Sequence, residues 1–103
     1  MTEGTSQTAV WTVTATGTAN MTSNANTLSN YLLIAATPSG TWFIPNGGTG
    51  AVDGTTYGPG ILTYSGNTTS FTELDFYAKQ WVAASDAVGS YTEVITFTAS
   101  VAP

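Results

Sequence analysis

Hydrophobic and polar residues alternate along two stretches of the chain, residues 9–21 and residues 92–101. In the first stretch the odd positions carry apolar or small side chains, and after Val10 the even positions carry Thr or Asn. In the second stretch hydroxyl side chains alternate with an apolar set, which comprises Ile95, Phe97, Ala99 and Val101. A period of two residues is that of a β-strand with one face towards a core. The pattern therefore predicts two long, half-buried strands.

Shorter strands are predicted between these two. Their apolar runs lie at residues 31–36, 41–44, 61–64 and 71–82. In the last run Leu74, Phe76 and Ala78 are predicted to face inwards. Six or seven short strands with turn residues between them predict one all-β domain over residues 1–103, an immunoglobulin-like antiparallel β-sandwich.

Turns and loops are predicted between the runs. Residues 37–40 carry Pro and Gly at the positions that suit a type I turn, so a hairpin is predicted there. Residues 20–30 and 45–60 are rich in Asn, Ser and Gly and are predicted to be loops, the second with at most a short strand near residues 51–52. Residues 1–21 are predicted to form a polar tail followed by the first strand.

The chain carries few charges, which limits the classes of function. Charged residues make up 7% of the 103 residues, the net charge is −5, and Lys79 is the one basic residue. Nucleic acids and anionic membranes are bound by clustered Lys and Arg, so neither is a predicted partner. Because the chain has neither Cys nor His, no Ser–His or Cys–His pair can form, and no enzyme activity, cofactor or metal is predicted. The uncharged, Thr-rich composition is typical of extracellular, cell-surface or virion proteins.

An outward-facing aromatic pair is the predicted ligand face. Tyr77 and Trp81 fall on the same side of the run at residues 71–82 as Glu73 and Asp75. Aromatic rings stack on apolar faces of other molecules, so this side is a candidate carbohydrate platform. The alternative is a side covered by a loop or by a neighbouring subunit. Paired carboxylates also serve glycoside hydrolysis, but these two are predicted to be solvated.

Thr residues repeat at alternate positions in residues 12–18 and again at residues 96 and 98. This Thr-x-Thr spacing is similar to that of the Thr ladders of some ice-binding proteins, although Thr also suits any exposed strand face. A binding array needs several adjacent strands with such pairs, and the sequence shows two.

The tripeptide Gly-Ser-Tyr at residues 89–91 resembles the tyrosine corner that opens strand F of immunoglobulin-like sandwiches. Residues 92–101 are then strand F, and too few residues follow for the neighbouring strand G. The unpaired edge of a long apolar strand is a site for pairing with another strand. We therefore expect this edge to be covered by residues 9–21, either of the same chain or of a second one.

The last third of the chain resembles spore-coat-U-type domains, the subunits of archaic chaperone–usher pili. The resemblance rests on LDFYAK at residues 74–79, a loop, and GSYTEVITFT at residues 89–98. Those domains carry hydrophobic-x-hydrophobic-Tyr-Gly, a loop, and Gly-x-Tyr-x-Asp before an alternating terminal strand. Here Ala78 stands in place of the Gly, Glu93 stands in place of the Asp, and the cysteines of the family are missing. The resemblance implies an incomplete sandwich that is completed by a donated N-terminal strand.

The leading hypothesis is a non-enzymatic structural subunit of an extracellular, pilus-like filament or surface assembly, which polymerises by strand donation. The predicted donor residues are Ala9, Trp11, Val13, Ala15, Gly17 and Ala19. The predicted acceptor residues are Tyr91, Ile95, Phe97, Ala99 and Val101. The alternative is a self-contained secreted adhesion or carbohydrate-binding module that uses Tyr77 and Trp81, and a third hypothesis is a virion surface or tail component.

Overall fold

The computed structural model describes residues 9–67 and 72–102. Over these residues all of the helices and strands that it contains are strands. They are β1 (Val10–Thr16), β2 (Thr22–Ser23), β3 (Asn26–Thr27), β4 (Leu32–Ala35), β5 (Gly50–Val52), β6 (Thr55–Tyr57), β7 (Leu62–Asn67), β8 (Tyr77–Gln80) and β9 (Thr96–Ala102). The described part of the chain has no helix with the length and apolar character needed to cross a membrane.

The strands form four small antiparallel sheets. β1 lies between β7 and β9 in a three-stranded sheet, and the pairs β2–β3, β4–β8 and β5–β6 are two-stranded. The predicted all-β fold is confirmed. The predicted immunoglobulin-like sandwich of six or seven strands is not confirmed, because the strands are divided among several small sheets.

β4 is the centre of the fold, since all four of its residues are buried. One hydrophobic cluster, on the side of the three-stranded sheet, comprises Ala15, Leu32, Ile34 and Leu62. A second cluster comprises Leu33, Ile44 and Val52. Successive residues of a strand point to opposite faces, so β4 contributes to one cluster from each face. A continuous apolar run is the expected sequence of such a doubly covered strand.

The hairpin predicted at residues 37–40 is present. The Gly40 N–H donates to the Thr37 carbonyl at 3.3 Å, which is the bond that closes a four-residue turn. Beyond the turn, Ile34 and Phe43 exchange backbone hydrogen bonds of 2.9 and 2.8 Å. The second arm therefore pairs with β4 at a single bridge instead of along a full strand.

Two short hairpins lie where loops were predicted. β5 and β6 are joined by Asp53 and Gly54, whose φ angles are 50° and 81°. Positive φ at both central residues is the geometry of a type I′ turn, for which Asp-Gly is a preferred sequence. β2 and β3 flank a turn at Asn24, which has a φ of 52°. The loop prediction allowed for β5 and missed the other three strands, because they are too short to show alternation.

The run at residues 71–82 contains a shorter strand than predicted. β8 begins at Tyr77, and the described residues before it are not in a strand. Leu74 and Phe76 are 38% and 37% exposed, and Ala78 is exposed as well. The prediction that these three side chains face inwards was therefore wrong. Two of them precede the strand, and β8 has β4 as its one partner among the described strands, which leaves it at the margin of the core.

Candidate assembly surface

β1 occupies the space between β7 and β9, which we call the β1 slot. Its ladder with β9 includes all seven residues of both strands, with Val10 opposite Ala102 and Thr16 opposite Thr96. Its ladder with β7 includes residues 10–15. Within one chain, the predicted donor strand therefore pairs with the predicted acceptor strand. This is one of the two arrangements that the sequence left open.

The apolar face of this three-stranded sheet is covered beneath β1 and β7 but not beneath β9. Ala15 and Leu62 are 0% and 3% exposed, whereas Phe97, directly opposite Ala15, is 52% exposed. Every residue of β9 is exposed, including Val101 at 63%. The core cluster draws its buried side chains from β1, β4 and β7, so β9 projects beyond it. The alternation predicted for the last strand is confirmed, and its predicted burial was wrong.

β9 also presents an edge that no described residue covers. One edge pairs with β1, and the other has no partner strand in the described part of the chain. Unpaired N–H and C=O groups on an edge strand can pair with a further strand. Beside this edge the Phe97 ring makes an edge-to-face contact with Phe76, with the ring centroids 5.3 Å apart. Exposed apolar side chains next to an open edge are typical of an interaction surface.

Residues 17–21 carry the chain from the three-stranded sheet towards β4. The Gly17 N–H donates to the Pro45 carbonyl at 3.1 Å, and the Leu32 N–H donates to the Ala19 carbonyl at 3.0 Å. The predicted donor residues Gly17 and Ala19 therefore lie outside β1. They belong to a connecting segment that is anchored to the rest of the fold.

The position of Gly17 admits no side chain. A Cβ there would lie 2.8 Å from the Val94 carbonyl oxygen and 2.9 Å from the Ile95 Cδ1, and it would overlap the Glu93 carboxylate. The Thr18 hydroxyl donates to the Glu93 Oε1 at 2.7 Å. The other carboxylate oxygen, Glu93 Oε2, is buried with no hydrogen-bond partner among the described residues. This close packing determines where the chain leaves the β1 slot.

Tyr91 makes the hydrogen bond of a tyrosine corner. Its hydroxyl donates to the Ala87 carbonyl at 2.7 Å, which returns the side chain to the backbone a few residues upstream. Tyr91 and Ile95 both precede β9, and both are half-buried. Of the predicted acceptor residues, only Phe97, Ala99 and Val101 therefore lie on β9 itself.

Replacing Tyr91 with Phe is expected to lower the free energy of unfolding by about 0.5–1.5 kcal/mol, the usual net contribution of one neutral hydrogen bond. The ring is kept, so the packing of the corner is unchanged. Urea unfolding followed by circular dichroism measures the effect. Tyr57→Phe is the matched control, because the Tyr57 hydroxyl has no hydrogen-bond partner in the described part of the chain. Equal losses in the two variants would argue against the corner.

Asp86 holds the loop that precedes the corner. Its Oδ2 accepts from the Ala83 N–H at 2.8 Å, and its Oδ1 accepts from the Ser29 N–H at 3.0 Å. The hydrogen bond from Ala83 is the main cause that lowers the pKa of the Asp86 carboxyl, and the bond from Ser29 adds to it against partial desolvation. Asp86 and Asp53 both act as turn residues here, and the described residues contain no group of three potential metal-binding side chains of the His, Cys, Asp and Glu types.

The lowered pKa of Asp86 predicts a specific loss of stability in acid. The contribution of the carboxylate is present above the ordinary Asp value of 3.8 and is lost as the pH falls through the lower folded-state pKa. Asp86→Asn removes this titration. We expect the difference in free energy of unfolding between the two proteins to be largest at neutral pH and to shrink towards about pH 2. A difference that does not change with pH, in urea titrations across this range, would contradict the assignment.

The predicted ligand face is divided in the structure. Tyr77 and Trp81 are half-buried, whereas Glu73 and Asp75 are exposed and precede β8. The Asp75 carbonyl instead accepts a hydrogen bond of 2.6 Å from the Tyr64 hydroxyl on β7. Burial, and then the charge of Asp75, raise the pKa of Tyr64. The two carboxylate residues therefore belong to the margin of the three-stranded sheet.

Lys79 lies between two Trp rings. Its Nζ is 4.2 Å from the ring centroid of Trp42 and 5.3 Å from that of Trp81. A Lys side chain in this setting packs its aliphatic stem on apolar surface and gains a cation–π attraction at its end. Sequence analysis assigned Trp42 to the core and missed its contact with Lys79, because the two residues are far apart along the chain.

The β1 slot, together with the exposed face and edge of β9, is the strongest candidate site in the described part of the chain. It joins the predicted donor and acceptor strands, and it combines backbone pairing with exposed apolar side chains. Comparison of the chain with protein-family models, with curated proteins and with solved structures gives no match.

Proposed function

We propose that the protein is a structural subunit of an extracellular, pilus-like filament or surface assembly, and that its copies are joined by donation of β1. The observation that carries the proposal is the position of β1 in the middle of a sheet, with a ladder on each side. A strand in such a slot makes the same backbone hydrogen bonds whether it belongs to the same chain or to a neighbour. The pairing within one chain is then the closed form, and pairing between chains is the assembled form.

The side chains of β1 fit the role of a donated strand. Its apolar residues, at alternate positions, face three residues of β9 in register: Trp11 opposite Val101, Val13 opposite Ala99, and Ala15 opposite Phe97. In strand donation the backbone ladder supplies affinity and the alternate side chains supply specificity. Ala15 completes the core cluster at 0% exposure, so the fold needs this strand from some source.

The exposure of β9 supports assembly as well. Removing apolar surface from water stabilises a contact by about 25 cal/mol per Å². The Phe97 and Val101 side chains are more than half exposed in the single chain, so they retain this stabilisation for a contact between subunits. An open strand edge beside them is the arrangement that natural proteins otherwise protect.

The test is the mass of the purified full-length protein, measured by light scattering over a range of concentrations. We expect masses that are multiples of the 10.6 kDa chain and that grow with concentration. An excess of a synthetic peptide of residues 1–16 is expected to shorten the multimers, because it fills a slot without offering one in return. A peptide of the same composition in scrambled order is the control. A stable monomer at every concentration would overturn the proposal.

The carbohydrate-binding alternative has one observation in its favour, the paired Trp42 and Trp81 rings on either side of Lys79. Both rings are half-buried, so each keeps exposed ring surface on which a sugar ring can stack. Binding on a glycan array that is lost in the Trp81→Ala variant would favour this function over assembly. Absence of binding by the full-length protein would exclude it for the glycans on the array.

A further inference from the structure

The three-stranded sheet carries hydroxyl groups on the face opposite its apolar one. The members of this hydroxyl face are Thr63 and Ser65 on β7, Thr12, Thr14 and Thr16 on β1, and Thr96, Thr98 and Ser100 on β9. Alternation along each strand places them all on the side away from Ala15. No member of the face is charged.

The hydroxyl face is a regular array, because the three strands are in register. One row across the sheet is Ser65, Thr12 and Ser100, and the next row is Thr63, Thr14 and Thr98. Neighbours repeat at about 4.8 Å across the strands and about 6.7 Å along them. The sequence alone showed Thr pairs on two strands. The third strand of the array is β7, which joins the sheet from a distant part of the chain.

The array is open to solvent. The members on β7 and β9 are exposed, and those on the central strand are half-buried. The Thr63 hydroxyl donates to the Ile61 carbonyl at 2.9 Å. The other hydroxyls of the face have no hydrogen-bond partner among the described residues, so they are available to water or to a ligand. Each keeps one donor and two acceptor positions.

We infer that the hydroxyl face binds the ordered water lattice at the surface of ice. Each Thr presents a methyl group and a hydroxyl group, so the array alternates apolar contact with hydrogen-bonding positions on a grid of molecular dimensions. A crystal surface of water repeats regularly on the same scale, and a regular array can match it at many points at once. A charged side chain would hold its own hydration shell and would be costly to place against the crystal. The face has none.

Two other ligands fit the face less well. A soluble sugar is usually held by an aromatic ring, and the array offers only hydroxyl and methyl groups. An ordinary solvated strand face also favours Thr, but it does not require hydroxyl residues opposite one another in consecutive rows. The inference concerns the face opposite the β1 slot side chains and does not depend on the proposed function.

The test measures ice recrystallisation and thermal hysteresis with the folded full-length protein. We expect the wild-type protein to inhibit recrystallisation and to shape ice crystals. Thr98→Lys places a cation in the middle of an edge row, and we expect it to abolish both effects. Thr55→Lys on β6 is the matched control, because it adds the same charge at an exposed Thr away from the array, and it is expected to retain both effects.

Circular dichroism establishes that each variant is folded, and Thr98→Val provides a second variant that keeps the shape and the β-branched side chain. We expect Thr98→Val to weaken the inhibition, since it removes one hydroxyl from the array. The inference would be overturned if the wild-type protein had no effect on ice, or if Thr98→Lys inhibited recrystallisation as well as Thr55→Lys does.

Discussion

Removal of residues 1–16 is expected to abolish the cooperative unfolding transition of the isolated chain. This deletion removes β1 from between β7 and β9 and removes Ala15 from the core cluster. Each hydrogen bond of a ladder contributes about 0.5–1.5 kcal/mol net, and β1 has a ladder on both sides. The summed loss is comparable to the whole stability of a small domain, about 5–15 kcal/mol.

The same deletion allows a test of complementation. A synthetic peptide of residues 1–16 is expected to restore the transition when it is added in trans, because the slot accepts the strand without a covalent link. A peptide with Asp in place of Val13 and Ala15 is the control, since it keeps the backbone and places charges against the apolar face. A truncated chain that unfolds like the full-length protein, with no peptide present, would show that β1 is dispensable.

The second large effect is expected from Leu33→Ala. Leu33 is 0% exposed at the centre of β4, and it packs with Ile44 and Val52 in the second cluster. Truncating a buried Leu removes favourable transfer from water and leaves a cavity, so we expect a loss of about 2–5 kcal/mol in the free energy of unfolding. A loss of this size is a large part of the stability of a domain this small.

Leu74→Ala is the matched control for this substitution. Leu74 is 38% exposed and lies outside the strands, so the same truncation is expected to cost clearly less. Urea unfolding of the three proteins provides the comparison. Equal losses at the two positions would contradict the central position of β4 between the two clusters.

The first and last strands could be predicted from the sequence because they are long enough to show a period of two. The alternation placed Trp11 and Val13 on one face and Phe97 and Val101 on one face, and the ladder between β1 and β9 brings these two faces together. Alternation reports which side chains share a face. It does not report whether anything covers that face, and the exposure of β9 was therefore missed.

The arrangement of the middle of the chain could not be predicted in the same way. β4 was recognised as a strand by its continuous apolar run, but the two separate clusters on its faces depend on residues that are distant in sequence. The type I′ turn at Asp53 and Gly54 carries a strong local signal. It was assigned to a loop because the two strands that it joins have only three residues each.

The candidate site was predictable in part. The donor and acceptor strands were identified by their patterns, and the structure pairs them within one chain. Gly17 and Ala19 were assigned to the donor because they continue the alternation of β1, yet the bond from Gly17 to Pro45 takes the chain out of the sheet there. A hydrogen bond to a residue so far along the chain leaves no trace in a local pattern.

The central claim is that β1 passes from one copy to the next, and a pair of engineered cysteines tests it most directly. The chain has no Cys of its own, so a disulfide between Val13→Cys and Ala99→Cys reports only the partner of β1. Thr14→Cys with Thr98→Cys is the neighbouring pair. Facing Cα atoms in an antiparallel ladder are about 4.5–5.5 Å apart, alternating along it, so the two pairs sample both spacings within disulfide range.

Denaturing gels without reductant then separate the two forms after oxidation of the assembled protein. We expect a ladder of covalently linked multimers in the double variants, which collapses to single chains on reduction. The single variant Val13→Cys is the control and is expected to yield no species beyond a dimer. Double variants that form the disulfide and run only as single chains at every protein concentration would contradict strand donation between copies.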